Sequence, residues 1–173
     1  VDDDPLGLLL WRAARAARLF IDSSDKARAR LTHAKLPVLW RVFALDEVDV
    51  PEALRQSVEA FPKLLARDET VNESEIADAC APVAEWADDN WKATTAFQFA
   101  ELAAKAQPSN PQRALYAGRV CRGMGFFDRA NVWFERGFRL AVQQGNRSES
   151  VRALLGQGAL MQECGELDEA QRW

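Results

Sequence analysis

Two stretches of this 173-residue chain match each other at a step of 40 residues, and this match restricts the fold more than any other feature. The run Gly118-Arg-Val-Cys-Arg-Gly-Met-Gly125-Phe-Phe127-Asp-Arg-Ala130 aligns with Gly158-Ala-Leu-Met-Gln-Glu-Cys-Gly165-Glu-Leu167-Asp-Glu-Ala170. Each recurring residue has a physical reason in a pair of helices. Gly118 and Gly158 fall mid-helix, where Gly costs about 1 kcal/mol against Ala, so a neighbouring helix must approach closely there. Gly125 and Gly165 stand where a helix ends in a left-handed residue. Phe127 and Leu167 open the next helix with an apolar anchor. Ala130 and Ala170 lie where the two helices cross, and a larger side chain would separate them.

The flanking sequence marks out the helices. Asn72-Glu-Ser-Glu75 has the form of a capping box and predicts a helix to about Ala87. Asp89 or Asn90 is expected to start another, reaching about Ala106. Asn110-Pro111 reads as an N-cap followed by Pro at the first helical position, with the helix ending near Met124. Phe127 to Gln144 makes the next, stopped by Gly145. Ser148 to Cys164 and a helix from Leu167 onwards complete the series. Upstream, Leu6–Phe20 reads as a helix and Ser24 as the cap of a second. Pro37 opens a helix to about Leu45, and Pro51 one to about Arg67 with a possible kink at Pro62.

These residues resemble the tetratricopeptide repeat. Ala130-x-x-x-Phe134 matches that family's A-x-x-x-F in the second helix of the hairpin. Ala117-Gly118-x-x-Cys121 is similar to its L-G-x-x-Y, with Ala and Cys as departures, and Gly137 stands where the family prefers Ala. Ala96, Ala100 and Ala103 followed by Pro108 fit a preceding second helix, with Ala100 in place of the usual aromatic. The 40-residue step departs from the family's usual 34, and the extra six residues are expected to lengthen the helices around Gln143–Ser150. The resemblance implies an all-α, right-handed α-α superhelix of stacked hairpins. Residues 1–72 would form a helical N-terminal region, with Trp11, Ala27, Leu31 and Ala34 as traces of a worn repeat. Residues 73–110, 111–147 and an incomplete 148–173 would form the repeats.

In this family the first helices of successive hairpins line a concave face that holds extended peptides or partner helices. The resemblance places Gln112, Leu115, Tyr116, Arg119 and Arg122 there. From the following helix it adds Arg152, Leu155, Ala159 and Gln162, and from the preceding one Asp78, Ala81, Glu85 and Asp88. Arg119, Arg122 and Arg152 suit the carboxylates of an acidic segment or a chain terminus, because guanidinium pairs bidentately with carboxylate. Stacking also predicts Glu85 beside Arg119 and Asp88 beside Arg122, as ion pairs within the chain.

Composition narrows the function classes. Cys80, Cys121 and Cys164 are odd in number, far apart and without C-x-x-C, so they read as buried helix residues of a reducing compartment, neither a disulfide framework nor a zinc site. His33 is the single histidine, which leaves a metal site or a Ser-His-Asp arrangement without support. No phosphate-binding glycine motif follows a strand. Net charge is −4 but is laid out in blocks. Residues 1–45 carry 8 basic and 5 acidic side chains, 46–91 carry 3 and 13, 92–147 carry 9 and 3, and the remainder 2 and 5. Such blocks do not make a nucleic-acid surface, though they steer a charged partner to one region. The tryptophans Trp11, Trp40, Trp86, Trp91 and Trp133 are expected in the core, with exposure of Trp86 or Trp91 marking a contact surface instead. No apolar run approaches the roughly 18 residues needed to cross a bilayer.

The expectation is a cytoplasmic, non-catalytic scaffold without cofactor or metal, holding a protein or peptide in its groove, with an acidic segment as the partner that its arginines suit. Alternatives are a peptide-sensing regulatory domain of a larger signalling or transcription protein, and an assembly module that self-associates through the open repeat at Leu167–Trp173. A first residue that is Val and a pattern unfinished at Trp173 read as a fragment of a longer protein.

Overall fold

The computed structural model describes residues 5–21, 49–66 and 73–165. The expectations for Ser24, His33, Trp40, the helix from Pro37, the cap Asn72, Leu167, Ala170 and Trp173 lie outside the described residues. Among the described residues there are seven α-helices and no strand. They are α1 (Pro5–Ile21), α2 (Glu52–Ala66), α3 (Glu73–Asp89), α4 (Ala93–Ala106), α5 (Pro111–Gly123), α6 (Phe127–Gln143) and α7 (Arg147–Glu163). The protein is therefore all-α, and α2 continues through Pro62.

Two compact units divide between Ala106 and Gln107. In the first, α1 packs on α4, α2 on α3, and α3 and α4 form a hairpin. The buried positions of that hairpin are largely alanine: Ala77, Ala81, Ala84 and Ala87 on one helix, Ala96, Ala100, Ala103 and Ala106 on the other. Such small side chains let two helix backbones come close. Bulk is supplied by Leu10, Leu54, Phe61 and Phe99, with the two phenylalanine rings tilted at 59° and 6.0 Å apart.

In the second unit α6 packs against both α5 and α7, and α7 also touches α5. Asn110 caps α5, its Oδ1 accepting from the amides of Gln112 and Arg113 at 3.0 and 3.3 Å. Asn146 does the same for α7, accepting from Glu149 N at 3.2 Å, so that helix starts one residue before the expected Ser148. The connection before α5 is tied to α6 twice. Arg136 donates to the Pro108 carbonyl at 3.0 Å and Gln144 to that of Ser109 at 2.7 Å.

One kind of turn ends several of these helices. Gly125, Gly145 and Gly165 have φ of 74°, 67° and 81°. After α5, Gly125 N donates to Arg122 O and Phe126 N to Cys121 O, both at 2.9 Å, which consumes carbonyls left over by the helix. The end of α3 has the same bonds, Trp91 N to Asp88 O at 3.2 Å and Lys92 N to Ala87 O at 2.8 Å. Here the left-handed residue is Trp91, with φ 59°. This corrects the expected start of α4. Asn90 does not cap the helix that follows; its Nδ2 donates back to Trp86 O at 2.8 Å, and α4 begins at Ala93.

The turns that end α3, α5 and α7 thus fall at 91, 125 and 165, steps of 34 and then 40 residues. The longer step has a visible origin. Helices α6 and α7 have 17 residues each, whereas α4 has 14 and α5 has 13.

Candidate functional site

The second unit is built around Phe134, which is buried in α6. A Cβ on Gly118 of α5 would stand 2.9 Å from its ring, and one on Gly156 of α7 would stand 2.6 Å from it. Both glycines are therefore required by the close approach of an aromatic ring. Ala130, one turn earlier, is fully buried as expected of a crossing point. On the same helix Gly137 makes room for Leu115, whose Cδ2 would lie 2.4 Å from a Cβ there. Leu115, expected on the groove face, is 8% exposed and belongs to the core. Its repeat counterpart Leu155 is 68% exposed, as is expected of a surface residue. Gly158, the register counterpart of Gly118, is half-buried, and the helix expected to cover it lies outside the described residues.

This packing brings the outer edges of α5 and α7 together. Gln112 Nε2 donates to Glu149 Oε1 at 3.3 Å, and Arg152 Nη1 reaches the same oxygen at 2.9 Å. Glu149 is 4% exposed and lies in the first turn of α7, where the helix dipole favours a carboxylate. Near the other end of both helices Arg122 Nε pairs with Glu163 at 3.7 Å. Contacts at early residues of both helices and again at late residues of both require α5 and α7 to run parallel, with α6 antiparallel to each. Between the two bridges the Arg119 guanidinium lies over the Tyr116 ring, 4.8 Å from its centroid.

The six residues expected to bind a partner are thus distributed as follows. Gln112, Arg119, Arg152 and Gln162 are exposed, and Tyr116 and Arg122 are half-buried. Gln112 and Arg152 meet through Glu149, Arg122 is held by Glu163, and Arg119 stacks on Tyr116. Sequence reasoning missed both acidic partners, although Glu149 three residues after Asn146 had the spacing of a capped helix start. Of the residues expected from the preceding helix, Asp78 and Glu85 are exposed, Asp88 is half-buried and Ala81 is buried.

The tryptophans divide. Trp133 is buried, as expected of a core residue, but Trp11 is 48% exposed and Trp91 is 93% exposed, which corrects both. Trp86 is half-buried. Cys80 and Cys121 are buried, whereas Cys164 is exposed at the end of α7, because it follows the last turn that packs on α6. Among the described residues no helix is long and apolar enough to cross a membrane. No protein-family model, curated protein or solved structure matches the chain.

Proposed function

We propose that the chain is a scaffold of tetratricopeptide-like hairpins, stacked as a right-handed α-α superhelix, that binds a protein or peptide in the concave groove lined by α5 and α7. The observation that carries this reading is the parallel pairing of α5 and α7 across Phe134. It turns the first helices of two successive hairpins into one continuous surface. The 34-residue step from Trp91 to Gly125, equal to the family's usual period, adds support. The surface offers an aromatic ring, an arginine stacked on it and exposed amides, the residue types that carry most binding energy at interfaces. Arg119, whose guanidinium lies over the Tyr116 ring, offers planar donors suited to a carboxylate of the partner. Arg122 and Arg152 serve the fold in this reading, through Glu163 and Glu149.

The test is affinity capture with the chain as bait, compared with a Tyr116→Ala, Arg119→Ala double variant whose melting is unchanged. The reading expects captured proteins to be lost with the double variant and kept with Arg152→Ala. The same set recovered by all three baits would contradict it.

A second reading is favoured by one observation. Val151 and Leu155, one turn apart on α7, are 54% and 68% exposed. Self-association through this face would bury them. Sedimentation equilibrium of the chain and of Leu155→Lys distinguishes the two: a concentration-dependent mass that falls with the variant supports assembly, and a monomer throughout removes it.

A further inference from the structure

The end of α3 carries a side chain that its fold does not need. Trp91 has the highest exposure of any large apolar residue described, 93%. The turn it occupies is the one filled by glycine at 125, 145 and 165, where a left-handed backbone costs glycine nothing. An indole there neither packs nor eases the turn.

The chain's other described tryptophans show what occupies such rings. Arg15 lies over Trp11 at 5.5 Å, Lys92 over Trp86 at 5.9 Å and Arg136 over Trp133 at 5.4 Å. Trp91 is the described tryptophan whose ring stands open to solvent. Its surroundings are built for a cation. From Glu73 to Trp91 the sequence has six acidic residues and no lysine or arginine. Asp88 and Asp89 sit at the carbonyl end of α3, where the helix dipole disfavours negative charge and the last turn of the helix carries no basic residue; Lys92, next after the turn, lies over Trp86. Glu85 and Asp89 are exposed one turn apart, just before the indole. Among the described residues no three carboxylate, histidine or cysteine ligands converge as a metal site would need. The cation that fits is one recognised by a ring face and scattered carboxylates, an organic one.

We propose that Trp91, with Glu85 and Asp89, is a docking point for a basic segment of a partner protein. An arginine or lysine of that segment lies over the indole while its neighbours pair with the two carboxylates. Arginine is the better occupant, because its planar, weakly hydrated guanidinium stacks on an aromatic face. The proposal uses no residue of α5 or α7 and stands whether or not that reading holds.

The test titrates the full chain with a short labelled Arg-rich peptide, and with versions in which Lys or Glu replaces Arg. The variants are Trp91→Gly, Trp91→Phe and the pair Glu85→Gln, Asp89→Asn. Trp91→Gly is the key control, since glycine is the natural residue for φ 59° and its melting temperature should not fall. The Arg peptide is expected to bind the wild type more tightly than the Lys peptide, with an affinity that weakens as salt rises. Binding should drop about tenfold in Trp91→Gly and in the carboxylate pair, and less in Trp91→Phe. Three results would each overturn the proposal. They are equal binding by Trp91→Gly, which would reduce the effect to net charge; equal binding of the Glu peptide; and no binding of the Arg peptide by the wild type at low salt.

Discussion

Phe134 and Gly156 meet ring against backbone: a Cβ added to Gly156 would stand 2.6 Å from Phe134 Cε1. The same ring bears on Gly118 from the other flank, at 2.9 Å. Two opposed effects decide what alanine does at these sites. Helix propensity favours alanine by about 1 kcal/mol, whereas overpacking a rigid ring costs about 1–3 kcal/mol. Gly118→Ala and Gly156→Ala are therefore expected to lower stability. Gly123 has nothing within 4 Å of its Cβ position, so Gly123→Ala keeps only the propensity gain. Urea unfolding of the three variants checks the opposite signs.

The helix ends give a second pair of opposite signs. Gly125→Ala and Gly145→Ala force a side chain into φ of 74° and 67°, and each is expected to cost about 1 kcal/mol. Trp91→Gly is expected to gain a few tenths to about 1 kcal/mol, because it relieves the same strain. Thermal melts of the three proteins read the difference directly.

The Gln112–Glu149–Arg152 bridge separates buried from exposed charge. Glu149→Ala removes an acceptor that is 4% exposed and a carboxylate favoured by the helix dipole, and is expected to cost about 1–2 kcal/mol. Arg152→Ala removes a side chain that is 66% exposed and should cost well under about 1 kcal/mol. Equal losses in denaturant unfolding would show that the pair, and not the buried acceptor, carries the stability.

Asn110 and Asn146 hold the amide ends of α5 and α7 through their side-chain oxygens. Asn110→Ala and Asn146→Ala are each expected to cost about 1 kcal/mol. The capped residues Gln112 and Glu149 are hydrogen-bonded to each other, so the loss in the double variant is expected to differ from the sum of the single losses. Chemical denaturation of the single and double variants measures this.

Much of the second unit could be read from residues alone, because its signals are local. Asn110-Pro111 announces a helix start, Gly125 and Gly145 announce helix ends, and Ala130 with Phe134 announces a crossing. What escaped the sequence depends on three-dimensional register. The 40-residue step marks Gly118 and Gly158, but Gly156, which meets Phe134 from α7, escaped because the residue 40 before it is Tyr116 and not a glycine. Helical spacing put Leu115 on the groove face because it cannot show that Gly137 opens a hole for it. The turn at Trp91 was hidden because no glycine marks it, and Asp88-Asp89-Asn90 has the look of an N-cap while Asn90 in fact closes the preceding helix. For the surface, the arginines were legible but not their partners: Glu163 meets Arg122 only when α5 and α7 lie side by side, whereas Glu149, three residues before Arg152 on the same helix, was open to sequence reading and was missed.

Phe134 is the wedge that sets α5, α6 and α7 at one fixed spacing, and a double-mutant cycle tests this most directly. Gly118→Ala and Gly156→Ala are each measured by urea unfolding in the wild type and in Phe134→Leu, whose smaller side chain leaves room for a methyl group. The expected result is that both alanines are destabilising in the wild type and neutral or stabilising in Phe134→Leu, a coupling of about 1 kcal/mol or more. Strictly additive effects would show that the ring does not set the helix spacing, and the parallel pairing of α5 with α7 would lose its physical cause.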